Sequence, residues 1–299
     1  MGSQEVLDKI LDTFPDLPRP SWCPIFKRCD DINQSSIYTS RFGGNQPFRP
    51  DNFKWPICDE CNAHKAFVCQ INLETLPVSL QDSISRSSGL FQLFYCLECM
   101  PLDCFKDLIF IDKSELVPSL KSLAANVLVK QTKLDKTCLP RPLLESVEDY
   151  TETVPIPEAD WRLEPGDELS MNLVTGWRQN LLLDIPQYTE LDEEEYRDKI
   201  RQRTGLTEEQ VTQMYEWLEE TSEGRGVTSA AAGVKLGGYV NWCQGVEYPE
   251  CPDCRVAMVV TFLQLEQDRV YEFMWGDCGT GHVTLCPRCG RPGLSWACS

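Results

Sequence analysis

The sequence predicts a β-rich α+β protein made of two related halves that are joined by an acidic, partly helical segment. Three observations support this prediction: strand-like runs near both ends, a set of motifs that occurs twice in the same order, and a concentration of acidic residues between the two sets. The 299 residues, 42% of them hydrophobic, suffice to bury a substantial core without disulfides. We place the boundaries at residues 1–129, 130–225 and 226–299, and expect the outer two segments to pack as one domain.

The flanking segments contain runs that are typical of strands. Residues 65–73, 90–95 and 256–263 are short, apolar or alternating, and rich in aromatic and β-branched side chains. Because such runs bury at least one face, we expect each flank to contribute strands to a sheet.

Helical patterns occur at the N-terminus and in the acidic segment. Residues 1–14 predict an amphipathic helix with Ser3 as its N-cap. Residues 192–203 place acidic side chains first and basic ones last, the order that the helix dipole favours. Thr207 and Gln210 form a capping box for a second helix in this segment. The apolar stripe of that helix would consist of Val211, Met214, Tyr215 and Leu218.

Charge is distributed unevenly along the chain. The 46 Asp+Glu and 28 Lys+Arg give a net charge of -18, and residues 143–224 alone hold 22 acidic and 6 basic residues. This balance argues against nucleic acid and anionic membranes as partners. The acidic segment is either a solvated helical face or a docking surface for a basic protein. For the second alternative, the candidate partner-binding residues are Glu193, Glu194 and Glu195.

A four-part set of motifs occurs in both flanks. Each set has a Gly-Gly pair, a Cys-x-x-Cys pair, a strand that contains a glutamine, and a second Cys-x-x-Cys pair. The first set comprises Gly43-Gly44, Cys58 and Cys61, Gln70, and Cys96 and Cys99. The second set comprises Gly237-Gly238, Cys251 and Cys254, Gln264, and Cys286 and Cys289. Four features in the same order with similar spacing indicate an internal duplication of a β unit.

The paired cysteines predict two zinc sites. A Cys-x-x-Cys turn brings two thiolates within reach of one Zn²⁺, and two such turns complete a tetrahedral set. Each half therefore carries one predicted zinc ribbon, with Cys58, Cys61, Cys96 and Cys99 in the first and Cys251, Cys254, Cys286 and Cys289 in the second. Because four protein ligands leave no open position, we expect two structural ions.

Other roles for the cysteines and histidines remain open alternatives. His64 and His282 lie near the two predicted sites and would each be able to replace a thiolate. The remaining cysteines, including Cys69, Cys243, Cys278 and Cys298, would be buried small hydrophobic residues or substitute ligands. The N-terminus lacks the pattern of a secretory signal and no apolar run is long enough for a membrane span. We therefore expect the protein in the cytoplasm, with the nucleus as the alternative, since thiols stay reduced in both.

Catalytic patterns are weak in this sequence. The chain has 2 His, and neither lies in a nucleophile elbow or an oxyanion-loop pattern. Neither Gly-Gly pair has the spacing of a phosphate-binding loop. We therefore expect no enzymatic activity. The alternative is an enzyme of unknown reaction with a cleft between the halves. A ubiquitin-type ligase is disfavoured because the ligand pairs do not interleave.

The motifs resemble those of the YwqG-like family. The resemblance rests on the segments Arg41-Phe42-Gly43-Gly44, Phe67–Leu73, Gly237-Gly238-Tyr239 with Trp242 and Gln244, and Trp275-Gly276-Asp277-x-Gly279. It implies a duplicated β-rich domain of unknown biochemical function. More distantly, the order of Gly-Gly-Tyr, Cys-x-x-Cys and strand glutamine is similar to the programmed cell death protein 2 family, whose members chaperone a small-subunit ribosomal protein. That similarity implies a binding role toward a basic client such as a ribosomal protein.

Overall fold

The computed structural model describes residues 1–29, 36, 38–44, 47–50, 53–116, 169–191, 194–220, 227–266 and 275–298. The part of the predicted acidic linker before residue 169 lies outside these residues, as does Glu193. The described part is β-rich with few helices. Its helices are α1 (Ser3–Thr13), α2 (Val78–Ser83), α3 (Tyr188–Leu191), α4 (Glu194–Thr204) and α5 (Glu208–Glu220).

Thirteen strands lie in the described part of the chain. The first six are β1 (Ser21–Arg28), β2 (Arg41–Phe42), β3 (Ala66–Asn72), β4 (Leu90–Tyr95), β5 (Asp103–Cys104) and β6 (Leu108–Ile111). The others are β7 (Asn172–Gln179), β8 (Leu183–Ile185), β9 (Val227–Ser229), β10 (Lys235–Gly237), β11 (Val260–Glu266), β12 (Thr280–Leu285) and β13 (Pro292–Ala297).

Eleven of these strands form one sheet in the order β5-β13-β12-β11-β10-β1-β7-β2-β3-β4-β6. The antiparallel pair of β1 and β7 lies at its centre, with one predicted half on each side. The end strand β5 comes from the first half and pairs with β13 of the second, through Leu294 with Cys104 and Ser295 with Asp103. The two halves therefore share one sheet.

The strands on the two sides of the β1–β7 pair, which we call the two wings of the sheet, pack against each other around one apolar core. Phe91 on β4 meets Phe262 on β11 edge-on at 4.9 Å between ring centroids. Tyr95 on β4 lies 4.8 Å from Trp275, which precedes β12. All four rings are fully buried. Since each aromatic side chain removes a large apolar area from water, these contacts hold the wings together.

A second core lies under the helices. α1, α4 and α5 pack on the parallel pair β8 and β9, and the predicted stripe of α5 is buried there. The capping box of α5 is confirmed, because the Thr207 N–H donates to Gln210 Oε1 at 2.9 Å and the Gln210 N–H donates to Thr207 Oγ1 at 3.3 Å. The N-cap prediction for α1 is wrong: Gly2 is the N-cap, and its N–H donates to the Glu5 carboxylate.

Two strand predictions need correction. The predicted strand at residues 256–263 begins only at Val260, because Val256 accepts a hydrogen bond from the Cys251 N–H and Met258 donates one to the Pro249 carbonyl. These bonds close a cysteine turn instead of extending the sheet. The other difference is β7, which lies inside the segment we expected to be helical or irregular and fills the sheet between β1 and β2.

Candidate metal centres

Each Cys-x-x-Cys pair sits on a turn of the same construction. The residue after the second cysteine donates its N–H back to the carbonyl of the first, at 2.8 to 3.2 Å in all four turns. That residue has a positive φ in every case: 59° at Asn62, 46° at Met100, 56° at Arg255 and 70° at Gly290. The left-handed conformation reverses the chain and turns both thiols toward the same point.

The first cluster joins the turn before β3 to the turn after β4. The Sγ atoms of Cys58, Cys61, Cys96 and Cys99 all lie within 4.8 Å of one another. Cys61 Sγ and Cys96 Sγ, one from each turn, are 3.6 Å apart. Because β3 and β4 are paired, their ladder fixes the relative position of the two turns.

The second cluster has the same arrangement beside β11 and β12. The Sγ atoms of Cys251, Cys254, Cys286 and Cys289 lie within 4.8 Å of one another. The contact between turns joins Cys251 Sγ and Cys289 Sγ at 3.7 Å. In both clusters the first cysteine of each turn is buried, and the second is half-buried or exposed.

The sulfur positions fit a tetrahedral metal ion. A tetrahedron with metal–sulfur bonds of about 2.3 Å has edges of about 3.8 Å, close to the two contacts between turns. Four thiols at this spacing, without a carboxylate or histidine in either set, form a soft donor set. Each cluster can therefore hold one metal ion with no protein ligand missing, as in a structural site.

One thiol of each cluster is easily ionised. Hydrogen bonding from the backbone N–H of Cys61 is the main effect that lowers the pKa of Cys58 to about 7. In the second cluster burial opposes ionisation of Cys286, but the N–H groups of Cys289 and Arg288 lower its pKa to about 7. Neighbouring sulfurs raise the pKa of Cys254 to about 12. A bound cation would offset the repulsion between neighbouring thiolates, because it stabilises the ionised form of all four cysteines together.

Ion pairs connect each centre to its surroundings. Asp59, inside the first turn, accepts a hydrogen bond from Lys106 Nζ at 2.9 Å. Asp253, inside the second, accepts one from Arg291 Nη1 at 2.6 Å. The Asp253–Arg291 pair joins the two turns of its cluster. Both pairs are substantially exposed, so they contribute little stability of their own.

The alternative ligands lie outside both clusters. Each cluster consists of four cysteines, and His64 and His282 belong to neither. His282 is buried on β12 with its ring 5.1 Å from that of Trp242, and burial lowers its pKa to about 3. Cys69 is buried as expected, whereas Cys243 and Cys298 are half-buried. Cys278 fits neither expectation, because it is exposed, on a turn where its φ is 56°, and it belongs to neither cluster.

Of the predicted partner-binding residues, Glu194 and Glu195 lie in the first turn of α4, and Glu193 lies outside the described residues. The remainder of α4 is rich in Arg and Lys, so the denser acidic face belongs to α5. The exposed acids of α5 are Glu208, Glu209, Glu216 and Glu220.

Sequence reasoning missed a buried ion pair between the two cores. Lys235 on β10 donates to the Asp184 carboxylate on β8, and both side chains are 0% exposed. Asp184 also accepts hydrogen bonds from Ser21 Oγ at 3.2 Å and the Tyr239 N–H at 3.3 Å. No local motif marks Asp184, because its partner is 51 positions away in the sequence.

The fold and the two clusters define a class: a β-rich protein in which a single large sheet carries two four-cysteine clusters, each able to hold a metal ion. None of the described helices is both long and apolar enough to cross a membrane. Residues 40–288 match the family model described as a domain of unknown function, DUF1963, and the chain belongs to that family. No curated protein matches the chain.

Proposed function

We propose that this is a non-catalytic, zinc-stabilised protein-binding protein that acts as a chaperone or adaptor for a basic client such as a ribosomal protein. The observation that supports it most is the pair of four-cysteine clusters, whose spacing between turns of 3.6 and 3.7 Å suits a closed tetrahedral zinc site. A closed zinc site stabilises a fold and leaves no position for substrate. Binding surfaces then have to lie elsewhere on the molecule.

Zinc is our proposed metal because the donor set is all sulfur. Four thiolates in a tetrahedron suit Zn²⁺, and they disfavour the harder Mg²⁺ and Ca²⁺. We expect two equivalents of zinc per chain, measured by elemental analysis of protein purified under reducing conditions. One equivalent or none would contradict the proposal of two centres.

An internal duplication, as in the proposed YwqG-like and more distant programmed cell death protein 2 relationships, is supported by matching details in the two wings. Gln70 Oε1 accepts the N–H of Phe48, and Gln264 Oε1 accepts the N–H of Asn241, both at 2.8 Å. Each glutamine pairs across the ladder with a basic residue, Arg41 or Lys235. These repeated contacts favour descent of both wings from one β unit. A binding role follows from the proposed family relationships. We place that role in a reducing compartment, such as the cytoplasm or nucleus.

The acidic surface of α5 and the start of α4 is the proposed docking surface for the basic client. The apolar stripe of α5 is buried against α1, whereas Glu208, Glu209, Glu216 and Glu220 are exposed. Opposite charges speed the encounter of two proteins and lose their effect as salt is added. Changing acidic residues of these two helices should therefore weaken binding without disturbing either cysteine cluster.

The test compares three charge-neutralised forms of the full chain. One carries Gln at Glu193, Glu194 and Glu195. The second carries Gln at Glu209, Glu216 and Glu220. The control carries Asp82→Asn with Glu115→Gln and Glu247→Gln, which removes the same charge from exposed positions elsewhere.

The readout is capture of basic ribosomal proteins at a series of salt concentrations. We expect recovery to fall for the first two forms, most strongly at low salt, and to match wild type for the control. Zinc content and the circular dichroism spectrum should be the same in all forms. Equal recovery in every form at every salt concentration would mean that the acidic residues are only a solvated face, and the chaperone proposal would fail.

A further inference from the structure

The central strand β7 has one edge that is only partly paired. β1 pairs with β7 from Asn172 to Gln179, apart from a bulge at Thr175, whereas β2 pairs with it only at Asn172 and Leu173. The Val174 N–H adds one hydrogen bond to the Ser40 carbonyl at 2.8 Å. Within the described residues, no strand lies on that side of β7 from Thr175 to Gln179.

The register shows which backbone groups face this open edge. The Asn180 N–H donates to the Ser21 carbonyl of the β1 side at 2.9 Å. Residues of an antiparallel ladder alternate between bonded and non-bonded pairs. The backbone groups of Arg178, which pairs with Cys23, are therefore directed at β1. Those of Trp177 and Gln179 point away from β1, toward the open edge.

A crevice runs along the same edge. Its volume is about 320 Å³, at the lower end of the range for ligand pockets. Its lining includes Thr39, Ser40, Asn72, Thr75, Val174 and Trp177, and carries no charged side chain. The crevice thus combines a row of backbone donors and acceptors with a neutral lining of hydroxyl, amide and aromatic groups, which suits the side chains of an extended peptide.

The paired strands β1 and β7 form a two-stranded ribbon. Its other edge, on β1, is blocked at the level where the edge of β7 is open. β10 pairs with β1 only at Ser21 and Trp22, so β1 also continues beyond its neighbour. The second residue of that continuation is Pro24, which has no N–H and is typical of protected sheet edges. β7 contains no proline from Asn172 to Gln179. Of the two edges, only that of β7 is therefore suited to adding a strand.

The charge of the ribbon indicates the kind of strand that it would accept. β1 and β7 together contain Lys27, Arg28 and Arg178 and no acidic residue, in a chain of net charge -18. Arg178 pairs with Cys23, and alternate residues of β1 share a face, so Arg178 and Lys27 lie on the same face. Both are exposed. A strand added to β7 would place its outer side chains beside Arg178.

We propose that the open edge of β7 binds an extended acidic segment of a partner protein as an additional strand. Main-chain hydrogen bonds to Trp177 and Gln179 supply the attachment, the crevice receives neutral side chains, and Arg178 selects for acidic ones. This inference is independent of the acidic docking surface of α5, because it concerns a different part of the molecule and a partner segment of the opposite charge.

The test uses three labelled peptides and the full-length, zinc-loaded protein. The first has the sequence Glu-Val-Thr-Val-Thr-Val-Glu with blocked ends. The second has lysine in place of both glutamates, and the third is the acidic peptide with alternate backbone nitrogens methylated. Fluorescence anisotropy measures binding to wild type, to Arg178→Glu, and to the control Lys54→Glu, which makes the same charge change at an exposed residue outside the ribbon.

We expect the acidic peptide to bind wild type and the Lys54→Glu control equally, and to bind Arg178→Glu about fivefold more weakly, since a cross-strand charge pair becomes a repulsion. The lysine peptide should prefer Arg178→Glu, and the methylated peptide should not bind. No binding of the acidic peptide at about 1 mM, or binding that tolerates methylation, would overturn the proposal.

Hydrogen exchange tests the state of the edge directly. In the free protein the amides of Trp177 and Gln179 should exchange faster than that of Arg178, and they should become protected at least tenfold when the acidic peptide is added. Slow exchange of Trp177 and Gln179 without peptide would show that another part of this chain, or a second copy, already covers the edge. That result would also overturn the proposal.

Discussion

The buried pair of Asp184 and Lys235 should be highly sensitive to substitution, because among the described ion pairs it is the most deeply buried. We consider the substitution Asp184→Asn, which keeps the shape of the side chain and removes its charge. The shape matters because a Cβ at the neighbouring Gly238 would already lie 2.2 Å from the Asp184 carboxylate. The variant therefore isolates the electrostatic contribution.

The structure sets the expected size of the effect. Both side chains are 0% exposed, so in the variant the Lys235 ammonium would stay buried without its counter-charge. Removing one partner of such a pair costs about 3–5 kcal/mol. That is a large part of the total stability of a typical protein, about 5–15 kcal/mol. The exposed pair of Asp198 and Arg201, with side chains 52% and 48% exposed, provides the matched control, and Asp198→Asn should cost less than about 1 kcal/mol.

Urea unfolding of the zinc-loaded protein, followed by circular dichroism and tryptophan fluorescence, measures both variants. Burial already lowers the pKa of Lys235, and Asp184 opposes that shift. Asp184→Asn should lower the pKa further, so the stability deficit should shrink as the pH rises toward about 10.4, where an exposed lysine loses its proton. A deficit below about 1 kcal/mol at neutral pH, or one that grows at high pH, would refute the reasoning.

Three further predictions concern single residues. Cys289→Ser should lose one equivalent of metal and lower the melting temperature by many degrees, because structural zinc contributes about 10–16 kcal/mol in small finger peptides. The control Cys278→Ser, at an exposed thiol outside both clusters, should change neither the metal content nor the melting temperature. His282→Gln should remove part of the acid sensitivity of the fold. In the folded protein the pKa of His282 is about 3, against an ordinary 6.5, so the stability present above pH 6.5 is lost by up to about 1.4 kcal/mol per pH unit as the pH falls. Parallel stability–pH curves for wild type and variant would contradict this. Gly43→Ala should destabilise by more than about 1 kcal/mol in thermal unfolding, because φ is 67° and the new Cβ would lie 2.3 Å from a backbone oxygen, while Gly245→Ala, with open space around it, should be neutral.

The cysteine turns show how far the sequence alone could predict the candidate site. The spacing of the cysteines was enough to group them correctly, because a Cys-x-x-Cys turn is a local structure. Asn62 and Gly290 were also recognisable as residues that tolerate a positive φ. Met100 and Arg255 were not, since the left-handed conformation there is imposed by the hydrogen bond that closes each turn and not by the residue type.

Long-range pairing explains what the sequence did not reveal about the fold. β3 and β4 have strong local patterns and were predicted almost to the residue. β7 was missed because its alternation follows a long acidic stretch, and its place in the sheet depends on β1, which is far away in the sequence. Asp184 looks like one more acid of that stretch until the fold brings Lys235 against it. Neither pairing leaves a local trace.

The position of β1 at the centre of the sheet has a consequence for synthesis on the ribosome. β1 ends at Arg28, but its neighbours begin only at Asn172 and Lys235. About 140 residues must be made before the first neighbour exists, which takes roughly 7–30 s at usual elongation rates. During that interval the nascent chain has a central strand with nothing to pair with. The sheet in the N-terminal half therefore stays without its central pairing until residues 172–179 have been made.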